Sequence, residues 1–178
     1  MRNVKSILGA ALVLTAICAV VVAALAATNL LTADTIAAAQ EKATNEACAA
    51  VLDTASSFAV LDGKWQDGVE TVYVGTAADG VTVGYVVKTS TTGKSSGLIV
   101  MTGIATDGTV SGVRIVEDSE TAGYTDTVEK AGLLDRLTGI HGDVAAVDGV
   151  STATKTSNGI KNGVELALAV YEEVSVGG

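Results

Sequence analysis

Hydrophobic patterning divides the chain into three parts. Ser6 to Ala27 is a run without any charged residue, SILGAALVLTAICAVVVAALAA, bounded on its N-terminal side by Arg2 and Lys5. A helix rises 1.5 Å per residue, so this run spans about 33 Å and matches a bilayer core of about 30 Å. It is predicted to be a transmembrane helix, with Arg2 and Lys5 on the cytoplasmic side and the bulk of the chain outside. A cleaved signal peptide competes with this reading through the Ala-rich site at Ala24–Ala27, but its apolar region is usually only 7–15 residues long. Thr32 to about Ser57 is Ala-rich and reads as a helix continuing from the span, with Thr32–Thr35 as a candidate cap.

The period then changes from helical to alternating. Val69–Val74 and Val81–Thr89 flank Asp79-Gly80, and Gly97–Ala105 and Thr109–Val116 flank Asp107-Gly108. An Asp-Gly pair between alternating runs is a strong hairpin signal. Four strands in one antiparallel sheet are expected, with a polar loop over Ser90–Ser96. Helical spacing returns in short pieces from Thr125 to Leu137. Val144–Val147 reads as a short strand. A last helix, capped by Ser157 or Asn158, runs to about Val174, with Ile160, Val164, Leu168 and Tyr171 on one side and Lys161 paired with Glu165. The expected class is α+β: an N-terminal transmembrane helix (residues 1–31), a connecting helix (32–57), and a domain over 58–178 with an antiparallel sheet packed by helices.

Composition narrows the chemistry. The net charge is −9 and no Lys/Arg cluster occurs, which excludes a nucleic-acid partner. His141 is the only His, and Cys18 and Cys48 are too far apart in context to form a framework, so neither a metal site nor a Ser-His-Asp triad is expected. No catalytic residue set of a stand-alone enzyme is visible. With 3% aromatic residues, the core must use small and β-branched side chains.

One stretch stands out chemically: Asp148-Gly149-Val150-Ser151-Thr152-Ala153-Thr154-Lys155-Thr156-Ser157-Asn158-Gly159. It is a hydroxyl-rich turn running into a helix N-terminus, a place that favours phosphate. A second stretch, Glu117-Asp118-Ser119-Glu120-Thr121-Ala122-Gly123-Tyr124, leaves the fourth strand. A Gly there lets backbone approach a flat ligand, and Thr can hydrogen-bond a polar ring edge.

The first stretch resembles the flavin-attachment motif of the FMN-binding domain in the RnfG family, the G subunits of Rnf electron-transport complexes. The C subunit of the sodium-translocating NADH:quinone reductase shares that motif. Thr152 stands where the family usually has Gly. Gly103-Ile104-x-x-Asp107-Gly108-x-Val110-x-Gly112-Val113 looks like the family's central hairpin. Glu120, Thr121 and Gly123 match the loop that lies beside the flavin ring in the family, with Ala122 and Tyr124 replacing its Pro and Leu. The resemblance implies FMN tied covalently through its phosphate to Thr154. It assigns cofactor contacts to Glu120, Thr121, Gly123, Tyr124, Ser151, Lys155 and Thr156, and recognition by a flavin transferase to Asp148 and Ala153. It further implies a single-pass membrane subunit of an ion-translocating ferredoxin:NAD oxidoreductase, partnered by the other subunits, with the FMN domain on the extracytoplasmic side. The alternatives are a component of the quinone reductase resembling its C subunit, or a membrane-anchored binding or sensory domain without a redox cofactor.

Overall fold

The computed structural model describes residues 2–117 and 123–176. The chain divides into two compact units, residues 1–43 and 44–178. Helix α1, Arg2–Val51, begins in the first unit and ends in the second. Within it, Ala11–Asn29 is long and apolar enough to cross a membrane, with a mean hydropathy of 2.6. Its large side chains, among them Leu12, Val20 and Leu25, are exposed, as suits a helix whose solvent is lipid. The helix is unbroken through Thr32–Thr35, so no cap forms there, and it stops at Val51 rather than near Ser57.

The second unit holds a five-stranded antiparallel meander, ordered β1 (Ser57–Val60), β2 (Val69–Thr76), β3 (Thr82–Thr92), β4 (Ser96–Ala105) and β5 (Val110–Glu117). The four strands expected from alternation are present. β1 is an addition, four residues pairing with the end of β2. The Asp-Gly turns close as their chemistry dictates. Asp79 Oδ1 accepts the Val81 N–H at 3.1 Å, and Asp107 Oδ1 accepts the Thr109 N–H at 2.9 Å. β3 and β4 reach further into the Ser90–Ser96 segment than expected, because the run of Thr residues favours extended backbone.

After β5 come two short helices, α2 (Tyr124–Lys130) and α3 (Leu133–Leu137), and then an irregular segment. Val144–Val147 is not a strand. Val144 is buried and its neighbours turn. A single 3-10 turn, Ser151–Ala153, leads into α4, Thr154–Val176. The last helix thus starts at Thr154, ahead of the Ser157–Asn158 cap inferred from the sequence.

β4 is buried on both faces from Leu98 to Ile104. On one face lies α4, whose Ile160, Val164, Ala167 and Val170 form a buried stripe against Leu98, Val100, Val87 and Ile104. On the other lies the end of α1, where Cys48, Val51 and Leu52 pack on Val86 and Met101. Each fully buried aliphatic side chain of this kind contributes about 1.5–3 kcal/mol. The α1 end seats on a cross-strand pair, Gly103 and Gly112. A Cβ on Gly103 would collide with the Val51 carbonyl oxygen, so no other residue permits this approach.

Candidate functional site

The hydroxyl-rich stretch forms one side of an open cleft of about 260 Å³. Its lining is Lys94, Tyr124 and the continuous run Ser151–Thr156. Three elements build it: the β3–β4 turn, the first residue of α2, and the start of α4.

The α4 start is held by buried groups. Ala153 is buried in the core and pins the 3-10 turn. Ser157 is fully buried, and its Oγ accepts the Val150 N–H at 3.0 Å, tying the incoming loop to the first turn of the helix. With these fixed, Thr154 faces outward. Its Oγ1 donates to the Ser151 carbonyl at 3.0 Å, and the side chain is exposed. Lys155 and Ser151 are exposed as well. Thr152 sits in the 3-10 turn, and no non-glycine residue among those described has a positive φ. The replacement of the usual Gly by Thr therefore brings no left-handed strain, and the exposed side chain has room.

Thr156 is unlike its neighbours. It is fully buried, lines the cleft, and its Oγ1 has no hydrogen-bond partner among the described residues. A buried hydroxyl without a partner costs about 1–3 kcal/mol. The Thr156 hydroxyl is therefore available to donate a hydrogen bond within the cleft. Beside it are the positive end of a 23-residue helix and the cations of Lys94 and Lys155. The described lining contains no carboxylate, although the chain carries −9 overall. This donor set fits the phosphate of FMN.

Gly123, at φ 92°, precedes α2 and turns the chain so that Tyr124 reaches the cleft. Tyr124 is half-buried, and Lys94 Nζ lies 2.9 Å from its hydroxyl and 4.0 Å from its ring centroid. Glu120 and Thr121 lie outside the described residues. The cleft thus brings together Thr154, Ser151, Lys155, Thr156 and Tyr124. Ala153 also lines it, Gly123 stands next to it, and Asp148 is an exposed residue of the loop leading in.

Several residues of this arrangement are absent from the motif. Lys94 comes from a hairpin turn, and nothing in its sequence context marks it. Lys161 does not pair with Glu165. Its Nζ donates to the Ala145 and Val147 carbonyls at 3.2 and 2.7 Å, one helical turn after Ser157. Arg136 donates to the Ala131 and Asp148 carbonyls at 2.6 and 3.1 Å. Together these cations fasten a segment that has no ladder of its own. The i,i+4 spacing of Ser157 and Lys161 on one helix face is the signal that could have revealed this role. Among the described residues, no group of His, Cys, Asp and Glu able to hold a metal occurs.

The antiparallel sheet, the long helix packed on it and the open cleft at the start of that helix fit an FMN-binding domain. The family of that description matches residues 93–169, which spans the cleft from Lys94 through most of α4. The RnfG N-terminal region matches residues 1–51, the whole of α1. The chain is thus similar to RnfG proteins in its N-terminal region and to FMN-binding domains around the cleft. It is similar to the G subunit of the Na⁺-translocating ferredoxin:NAD⁺ oxidoreductase complex of Acetobacterium woodii, with 29% identity over 92% of this chain and 91% of that relative.

Proposed function

We propose that this chain is the membrane-anchored, FMN-carrying electron-transfer subunit of an Rnf-type ferredoxin:NAD oxidoreductase complex, with FMN bonded through its phosphate to Thr154 Oγ1. The observation that carries the reading is the cleft itself. An exposed Thr hydroxyl stands at a helix start, in one cleft with two lysines and a buried hydroxyl that has no acceptor among the described residues. The similarity to the Acetobacterium woodii protein supports the complex, and the apolar stretch of α1 supports the anchor.

FMN, when bound, accepts and passes on electrons one or two at a time. The chain's own residues hold and orient it. Thr154 supplies the ester oxygen. Thr156 and Lys155 offset the phosphodiester charge at the positive end of α4. Ser151, Gly123 and Tyr124, with Glu120 and Thr121, frame the rest of the cofactor. Asp148 and Ala153 are the elements read by a flavin transferase. A tether suits a site outside the cytoplasm, where a free cofactor would be diluted. A short link keeps its effective concentration in the mM range. Arg2 and Lys5 argue for a cytoplasmic N-terminus and an extracytoplasmic FMN domain. The other subunits of the complex supply and remove the electrons and move the ion. The described part of the apolar span contains no ionisable side chain fit for an ion path.

The test is Thr154→Ala in the full chain, produced with its transferase. Flavin fluorescence in the denatured band is expected to vanish while the fold persists. Fluorescence retained through denaturation would place the flavin elsewhere and overturn the assignment.

A further inference from the structure

We propose that the outer edge of β1 is a docking site for an extended segment of a different polypeptide of the complex, which adds to the sheet as a further strand. The inference rests on the proposed function for the complex, not for the flavin. β1 ends the sheet and pairs with β2 alone. Its register runs from Ser57 opposite Thr76 to Val60 opposite Tyr73, and the next residue, Leu61, donates its N–H to the Val72 carbonyl at 2.8 Å. In an antiparallel ladder, alternate residues turn both backbone groups toward the same neighbour. Ser57, Ala59 and Leu61 therefore face β2, whereas Phe58 and Val60 each turn an N–H and a C=O away from it. Among the described residues no strand lies on that side to receive them. Such an edge selects its occupant, because backbone donors and acceptors at this spacing are matched by another strand.

Proteins commonly blunt an open edge with Lys, Pro or a bulge. β1 reads Ser-Phe-Ala-Val, with no charge, no Pro and no register shift, and Val60 is 60% exposed. The strand is short, so two outward residues alone would hold a partner weakly. A groove of about 540 Å³ beside it supplies apolar contact, with Leu61, Trp65, Val74, Tyr85 and Val174 in its lining. One row of the sheet leads into it, for Ile104, Tyr85, Val74 and Ala59 are successive cross-strand partners. Exposure rises along the row, from buried Ile104 through half-buried Tyr85 and Val74 to exposed Ala59. A large apolar side chain opposite Ala59 completes the row. Exposed carboxylates, Asp53 and Asp62, precede and follow the strand. They favour an occupant with an apolar centre and Lys or Arg at its ends. A second copy of this chain, itself at −9, is the poorer match.

The experiment is residue-resolved amide hydrogen exchange, read by mass spectrometry on the full chain in two states: within the complex purified from its native membrane, and alone in detergent. Alone, the Phe58 and Val60 amides should exchange fast and the Ala59 amide slowly. In the complex, Phe58 and Val60 should slow by about tenfold or more, with Ala59 protected in both states. Unchanged exchange at Phe58 and Val60 overturns the inference. Val60→Pro is the companion variant. It removes one outward N–H, which an edge strand tolerates, so the chain alone should keep its far-UV circular dichroism. In the complex its Phe58 amide should lose the protection. Protection retained in the folded variant assigns it to burial rather than strand pairing and overturns the inference. Protection already present in the chain alone, at the mass of two copies, assigns the edge to self-pairing and overturns the choice of a different polypeptide. A chain recovered from its membrane without any other subunit overturns this inference together with the complex. An unmodified Thr154 overturns the flavin assignment and leaves this test standing.

Discussion

Ser157 Oγ accepts the Val150 N–H at 3.0 Å, from a side chain that is fully buried in the first turn of α4. The bond spans the turn before α4 and fixes where Thr154 stands. Ser157→Ala leaves the Val150 N–H without its acceptor, at a cost of about 1–3 kcal/mol. Thermal unfolding should report that loss. The fraction of chain carrying flavin should fall as well, while the far-UV circular dichroism stays that of the parent. Full loading of the variant would show that the loop does not need this clasp.

Thr156 gives a prediction whose sign depends on the cofactor. Its Oγ1 is buried without a partner among the described residues. Thr156→Val removes the hydroxyl and keeps the shape. In protein made without the transferase, the variant should be more stable by roughly 1 kcal/mol, because an unpaired polar atom is gone. In flavin-loaded protein the advantage should disappear or reverse, because the hydroxyl then has an acceptor. Paired melting curves of the two forms decide it. Equal stabilisation in both would deny Thr156 a ligand.

Gly103 receives the end of α1. A Cβ there would collide with the carbonyl oxygen of Val51, and Ser111 Oγ, 2.6 Å from the same point, donates to that carbonyl at 2.5 Å. Gly103→Ala should destabilise the folded unit by about 3 kcal/mol, at the upper end of the cost of overpacking. Gly80→Ala is the control. It has a positive φ of 83° but open space around it, and should cost about 1–2 kcal/mol. Urea midpoints of the two variants separate a steric lock from a turn preference.

Much of this architecture could be read from the sequence. Asp79-Gly80 and Asp107-Gly108 marked two hairpins because an Asp side chain and a following Gly meet the local demands of a tight turn. The apolar run from Ser6 is long enough to declare itself. The buried stripe of α4 followed from Ile160 and Val164. The unread parts depend on distant partners. β1 is four residues long and forms only because the edge of β2 is available to it. Val144–Val147 has the composition of a strand, but it pairs with no strand among the described residues, and Lys161 bonds two of its carbonyls instead. The start of α4 moved from Ser157 to Thr154 because Ser157 bonds the loop rather than capping the helix. Lys94 entered the site through a contact 30 residues away in sequence, which no local pattern encodes.

Cys48 links the packing of α1's last turn to a pH dependence. Burial pushes its thiol up to about 11 from the ordinary 9.0. In the unfolded chain the proton leaves first, so the folded state holds more protons between those values and stability falls as pH rises from 9 toward 11. Below pH 9 both states are protonated and the effect is absent. Urea unfolding at about pH 8 and about pH 10.5 should show the loss, and Cys48→Ala should remove it. At about pH 8 the buried thiol is less ionised than a free one, so alkylation of Cys48 should be slower in the folded chain than in the unfolded one.

The central claim is a flavin bonded to Thr154, and one measurement addresses it directly. The protein is purified from its native membrane, its intact mass is taken, and the tryptic peptide Leu137–Lys155, bounded by Arg136 and Lys155, is sequenced by mass spectrometry. The account predicts an added mass of FMN less one water on that peptide, located at Thr154. An unmodified Leu137–Lys155 peptide in protein drawn from an assembled complex would contradict it.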